Sequence, residues 1–239
     1  MRRLYYFSRL IRNTLLVSIY SLMFGFPVPI IFALLLNEVK KVSYKRIVQT
    51  VSYLPHFISV VIIVGMMVNF LSPNEGIVNQ LIKQTGREPV DFMSALRWFR
   101  PLYVGSGIWQ SFGFSSIIYL AAIAGINPEL YDAIEVDGGS RLQKIRFITL
   151  PSIAPTITIL LILRVGRLMS VGFQKIILMY SPVIYEVADV ISTYVYRRGI
   201  QEGEYGFATA VGFFNSVVNL ILLVACNRLA RKLSETSLW

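Results

Sequence analysis

Residues 127–151 read NPELYDAIEVDGGSRLQKIRFITLP and lie between two long apolar runs. The stretch is too charged to sit in hydrocarbon, so it must be a loop on one face of a membrane. Its punctuation predicts an elbow. Asn127 and Pro128 suit the N-cap and first position of a helix, and Gly138 with Gly139 suits its stop. Ser140 and Gln143 have the spacing of a capping box, so a second helix follows at once. Leu130, Ala133, Ile134 and Asp137 recur at helical spacing in the first arm. Leu142, Ile145 and Ile148 do so in the second, beside Arg141, Lys144 and Arg146. A short helix, a glycine hinge and another short helix make a rigid knob that can be offered to a partner.

The bulk numbers agree that this is not a soluble domain. Soluble domains are about 45 to 50% apolar, whereas this chain is 55% apolar and 15% charged, with a mean hydropathy of +0.60. The expected class is all-α, a polytopic transmembrane helical bundle. The net charge of +10 does not argue for nucleic acid, because the basic residues fall between and beside apolar runs, where membrane orientation explains them. The lone Cys226 has no partner for an internal disulfide, and the lone His56 has no cysteine or second histidine for a metal site. Both read as packing residues.

Working outward from the elbow, five apolar runs, at about 14–36, 47–71, 102–126, 152–173 and 206–226, are each long enough to span a bilayer. Together they form one transmembrane domain over 1–239. The first should kink at Pro27 and Pro29, and the second should break near Pro55, with Asn69 a buried polar candidate. In the third, Gly107, Ser111 and Ser115 recur every four residues, a spacing that lets another helix pack closely. The fourth contains Arg164 and Arg167, and none of the thirteen acidic residues falls within any of the five runs. An arginine at a helix centre costs about 2.5 to 3.5 kcal/mol on insertion scales, so each is expected to face water, backbone carbonyls, a partner subunit or a ligand. The fifth places Asn215 and Asn219 four apart on one face.

The short loop 37–46, with Lys40, Lys41, Lys45 and Arg46 against Glu38, belongs in the cytoplasm, as does the C-terminus with Arg228, Arg231 and Lys232. Segments 72–101 and 173–205 then lie outside. The second should carry an amphipathic helix with Val187, Val190, Ile191, Tyr194 and Val195 on one stripe. Five spans put the N-terminus, with Arg2, Arg3, Arg9 and Arg12, on the outer face, against the positive-inside rule. A further span preceding residue 1 would remove that conflict, and such a missing helix is expected.

The elbow resembles the EAA loop of membrane-spanning subunits of bacterial type I ATP-driven importers of the carbohydrate-uptake kind. That family's pattern is Glu-Ala-Ala, two variable residues, Asp-Gly-Ala, then a hydrophobic residue, Ile and Leu-Pro at fixed offsets. Here it reads Asp132, Ala133, Ile134, then Asp137, Gly138, Gly139, then Ile145, Ile148, Leu150 and Pro151. Asp132 stands for Glu, Ile134 for Ala and Gly139 for Ala. Relatives usually have six spans with the loop between the fourth and fifth; here it lies between the third and fourth visible ones. The stretches 52–59, 107–126, 188–199 and 231–239 are similar to the subfamily that handles complex oligosaccharides, including alginate-derived ones.

The resemblance implies a permease fold, not an enzyme, with ATP and Mg bound by a separate cytoplasmic ATPase dimer. It also implies a second homologous permease subunit, an extracytoplasmic solute-binding protein and a bacterial cytoplasmic membrane. Asp132, Ala133, Glu135, Asp137, Gly138, Gly139, Ile145, Ile148, Leu150 and Pro151 would then couple to the ATPase. The helix after the loop commonly lines the substrate path in this family. Candidates there are Arg167 and Ser170, on a face with Leu163 and Gln174, with Arg164 adjacent, together with Asn215 and Asn219. Two arginines would favour an anionic sugar through bidentate hydrogen bonds; the opposing reading has them snorkelling or contacting a partner subunit. Two other classes, a membrane-embedded polysaccharide-processing enzyme and an ion-coupled carrier, both need chemistry the spans lack, since no span holds a carboxylate and His56 has no evident nucleophile near it in sequence.

Overall fold

A computed structural model describes residues 2–233 together with 237 and 238. The side chains of Arg2 and Arg3, and residues 234–236 and 239 of the tail stretch 231–239, lie outside the described residues. In chain order the helices are α1 (Arg2–Gly25), α2 (Pro27–Asn37), α3 (Val42–Tyr53), α4 (Val60–Phe70), α5 (Ile77–Gln84), α6 (Leu96–Ala124) and α7 (Pro128–Val136). Then come α8 (Arg141–Lys144), α9 (Leu150–Val165), α10 (Phe173–Met179), α11 (Tyr185–Ala188), α12 (Ile191–Val195) and α13 (Tyr205–Leu233). Short 3-10 turns occupy Leu54–Phe57 and Pro182–Ile184, and π-helical turns Ile145–Thr149 and Tyr196–Gln201.

Among the described residues, four helical stretches are long and apolar enough to cross a membrane: Tyr6–Asn37, Leu96–Ala124, Arg141–Val165 and Tyr205–Lys232. A fifth is added if α3 and α4, separated by the turn at Pro55, count as one broken span. Apolar side chains such as Leu35, Phe213 and Ile221 are exposed, as suits helices whose solvent is hydrocarbon. The first and last of these stretches overrun their apolar runs at both ends, because charged residues near a span's end remain good helix formers.

The largest difference concerns the fourth run. Expected at 152–173, it is instead a rod over Arg141–Val165 that includes the second arm of the elbow. Proline explains the π turn in its middle. Pro151 has no N–H to return to residue 147, and the wider turn at Ile145–Thr149 absorbs the missing bond before α9 starts. The rod ends at Gly166, so Leu163, Arg167, Ser170 and Gln174 do not share a helical face.

The single amphipathic helix expected near 187–195 is likewise absent. Asp189 and Val190 adopt extended backbone and separate α11 from α12. Asn69, expected to be buried, is exposed.

The chain forms two compact units. Unit 1 comprises Met1–Ser21, Ile58–Gly107 and Arg167–Asn219, and unit 2 comprises Leu22–Phe57, Ile108–Gly166 and Leu220–Trp239. The core of unit 1 gathers Val17, Val64, Phe99, Ile176, Met179 and Val190. At its heart the buried carboxylate of Asp189 accepts from Tyr6, from Tyr180 at 2.7 Å and from Thr193 at 2.8 Å, and pairs with Arg197 at 2.9 Å. Burial alone would pull Arg197 down, but its bonds to Asp189 and Tyr180 outweigh that and hold the guanidinium protonated. Burial and the bond to Asp189 push the Tyr180 hydroxyl up. In the same unit Lys175 is buried, its ammonium lacks a hydrogen-bond partner, and burial pulls it down to about 8. The Tyr103 ring lies 5.5 Å from its charge.

The core of unit 2 gathers Ile30, Ala33, Tyr119, Ile123 and Ile153. Close approach of α6 to α3 occurs at Gly113, where a Cβ would stand 2.1 Å from the carbonyl oxygen of Ser52. The expected small-residue face of Gly107, Ser111 and Ser115 is not that contact. Gly107 meets Lys175 in unit 1, while the two serines open onto a cavity of unit 2.

Candidate functional site

The elbow is built as its residues dictate. Asn127 caps α7 by accepting from the Glu129 N–H at 3.1 Å, and Pro128 follows where no N–H is needed. Gly138 takes φ +75°, a conformation in which a side chain would strain the backbone. The Gly139 N–H then closes the turn on the Ile134 carbonyl at 2.7 Å. Ser140 and Gln143 form the reciprocal capping box that starts the second arm.

The two arms are braced twice. Glu135 accepts from Lys144 across the hinge, and the Tyr131 and Thr149 hydroxyls bond at 3.0 Å. The bond to Lys144, then its charge, and more weakly Lys40, hold the Glu135 carboxyl below the usual range. The brace therefore survives as pH falls through the point near 4.3 where a free glutamate protonates, and is lost only below it.

The exposed surface of the elbow carries large apolar side chains among its charges. Val136 is 87% exposed, Leu142 73% and Phe147 62%, with Leu130 also exposed. Ile145, Ile148 and Leu150, expected to supply apolar contact, are half-buried instead, while Asp132, Ala133, Asp137 and Pro151 are exposed. Of these outward apolar residues, helical spacing in the sequence marks Leu130 and Leu142, while Val136 and Phe147 fall off both stripes.

Unit 2 also holds a cavity of about 460 Å³ lined by Arg164, Ser111, Ser115, Phe114, Tyr119 and Phe26, among others. Its wall is stiffened from behind. His56 stacks on Phe114 with ring centres 4.0 Å apart and planes at 1°, so the histidine read as packing does pack, against a cavity-lining ring. The other path candidates belong to unit 1. Asn219 accepts from the Met169 N–H and donates to the Ser170 hydroxyl, both at 3.0 Å, fastening the turn that follows α9. The carbonyl oxygen of Asn215 is buried without a hydrogen-bond partner, and Arg167 is exposed. The structure thus brings Asn219 and Ser170 together and places Arg164 with a different set, Ser111, Ser115 and Phe114. Those three stand on α6, and no local signal in the sequence ties them to Arg164.

With this geometry in view, the chain can be compared with known proteins. A family described as "Binding-protein-dependent transport system inner membrane component" matches residues 25–235. Protein LplB of Bacillus subtilis (strain 168) is 44% identical over 233 residues, 98% of this chain and 73% of that protein. The polygalacturonan/rhamnogalacturonan transport system permease protein YteP of the same organism is 43% identical over the same shares. A chain of a bacterial alginate ABC transporter, crystallised with an alginate pentasaccharide-bound periplasmic protein, superposes with a TM-score of 0.94 at 51% identity, covering 97% of this chain and 81% of that one. The all-helical, membrane-crossing architecture, the extended match and the close superposition agree: this chain belongs to the family of inner-membrane permease components of binding-protein-dependent ABC transport systems.

Proposed function

We propose that the chain is a permease subunit of an importer for oligosaccharides, anionic ones in particular, driven by ATP hydrolysis on a separate cytoplasmic subunit. The observation that carries the substrate reading is the cavity around Arg164. A guanidinium fork suits a carboxylate, the hydroxyls of Ser111 and Ser115 suit sugar hydroxyls, and Phe114 and Tyr119 offer rings to the apolar face of a pyranose. Its volume of about 460 Å³ lies within the range of roughly 300 to 1,000 Å³ usual for ligand sites. Similarity to YteP, and to a transporter for the acidic polysaccharide alginate, supports the same class.

Coupling runs through the elbow. Its exposed Leu130, Val136, Leu142 and Phe147 would sit in a cleft of the ATPase, on the cytoplasmic face that also receives loop 37–46 and the C-terminus. ATP and Mg stay on that partner. A second permease subunit completes the pathway and an extracytoplasmic solute-binding protein delivers the sugar.

The test is uptake in cells carrying Arg164→Gln, with a labelled oligouronate and a neutral oligosaccharide of equal length. Loss of a hydrogen bond to a charged group predicts at least about a tenfold fall for the acidic sugar and little change for the neutral one. Equal uptake of the acidic sugar by variant and wild type removes the anionic reading.

A further inference from the structure

Unit 1 contains another cavity, of about 320 Å³, that shares no residue with the one around Arg164. It is lined by Ser8, Arg9, Arg12, Asn13, Arg100 and Glu186. Three guanidinium groups meet one carboxylate, a formal excess of two positive charges. Two of the arginines are held in place. Arg9 lies over the Tyr6 ring at 4.8 Å, and Arg100 donates to the Asn13 side-chain oxygen at 3.1 Å. Asn13 is itself fastened to the carbonyls of Glu186 at 2.9 Å and Asp189 at 3.0 Å. The Nε atoms of Arg9 and Arg100 are buried without a hydrogen-bond partner. The carboxylate of Asp189 cannot relieve them, because Arg197, Tyr180 and Thr193 already occupy it. A site with converged donors and surplus positive charge is complementary to an oxyanion.

Position in the chain says which oxyanion. Arg12 and Asn13 immediately precede the apolar run that begins at Thr14, and Arg100 stands just before the one that begins at Leu102. Both belong to helices able to cross a membrane, so the cavity lies at the edge of the hydrocarbon, at the level of lipid headgroups. On α1, Ser8 and Arg12 are exposed one turn apart. Ile19, two turns further into the apolar run, continues that face and is 43% exposed. A soluble acidic sugar would satisfy the arginines but leave Ile19 bare. A molecule with an anionic head and an apolar tail satisfies both.

We propose that this cavity binds the phosphodiester of a membrane phospholipid, with an acyl chain laid along α1 past Ile19. The proposal requires only that the chain span a bilayer and is independent of which sugar is carried.

Native mass spectrometry of the chain in its purified membrane complex, titrated with phosphatidylglycerol, tests it. Wild type should retain one lipid per chain more tightly than Arg9→Gln/Arg12→Gln, by about fivefold per arginine removed. Arg12→Gln alone, at an exposed position that does not threaten folding, should show a single such step, and Arg12→Lys should keep most of the affinity. Equal lipid retention by wild type and the double variant overturns the proposal. Displacement of the lipid by excess soluble trigalacturonate does so too, since the cavity would then belong to the sugar. So does failure of the wild-type complex to bind any lipid, which would mean that another subunit covers this face.

Discussion

At the scale of single residues, two departures from the family pattern are one feature. Ile134 and Gly139 each replace an alanine of the EAA pattern, and the structure sets them against each other. A Cβ at Gly139 would lie 2.7 Å from both the Ile134 carbonyl oxygen and its side chain. The larger residue fills the room that the smaller one vacates. Gly139→Ala should therefore open the hinge at a cost of about 1 to 3 kcal/mol, as overpacking usually does, and reduce uptake driven by ATP. Adding Ile134→Ala should recover part of the loss, because it removes the side-chain clash and leaves the backbone one. Uptake rates of the single and double variants check this; a Gly139→Ala transporter as active as wild type would show that the hinge tolerates a methyl group.

At the scale of elements, charge at the wrong end of a hydropathy window conceals structure. The segment before α13 reads as one amphipathic helix because its apolar residues keep helical spacing. On that helix Asp189 would stand opposite the apolar stripe; the extended backbone at 189 and 190 turns it into the core instead, where Arg197, Tyr6, Tyr180 and Thr193 supply the partners a buried carboxylate needs. Removing one member of a buried ion pair leaves the other uncompensated, so Arg197→Ala should destabilise unit 1 by about 3 kcal/mol. The neighbouring Arg198 pairs with Glu202 and Glu204 near the surface, and Arg198→Ala should cost far less. Thermal melts of the two purified variants decide it: comparable melting temperatures would mean that the Asp189 cluster contributes nothing special.

At the scale of the whole molecule, the elbow's second arm and the membrane helix that follows it are one rod of 25 residues, Arg141–Val165, about 37 Å long at 1.5 Å per residue. The rod thus runs without an intervening loop from Leu142 near one end to Arg164 near the other. Cys226 is the lone cysteine, so Cys226→Ser gives a background in which Leu142→Cys or Val136→Cys is a unique handle. Either should crosslink to the ATPase subunit in membranes, and Ile148→Cys, half-buried, should do so much less. Capture of the ATPase by none of them would sever the elbow from nucleotide hydrolysis.

The sequence by itself determined what local chemistry can decide. Apolar length marked segments able to cross a membrane, capping residues and glycines set the elbow, and the spaced pattern of residues 132–151 pointed to the family. Tertiary structure alone decided what depends on partners distant in the chain. Hydropathy could not show that the fourth span begins at Arg141, because a helix end carrying Arg141, Lys144 and Arg146 scores as loop. Nor could it show that Asp189 is buried, since its compensating groups lie as far away as Tyr6. Arg164 was visible as an anomaly in an apolar run, but its cavity was not, because Ser111, Ser115 and Phe114 reach it from another helix, and only folding brings them to the same space.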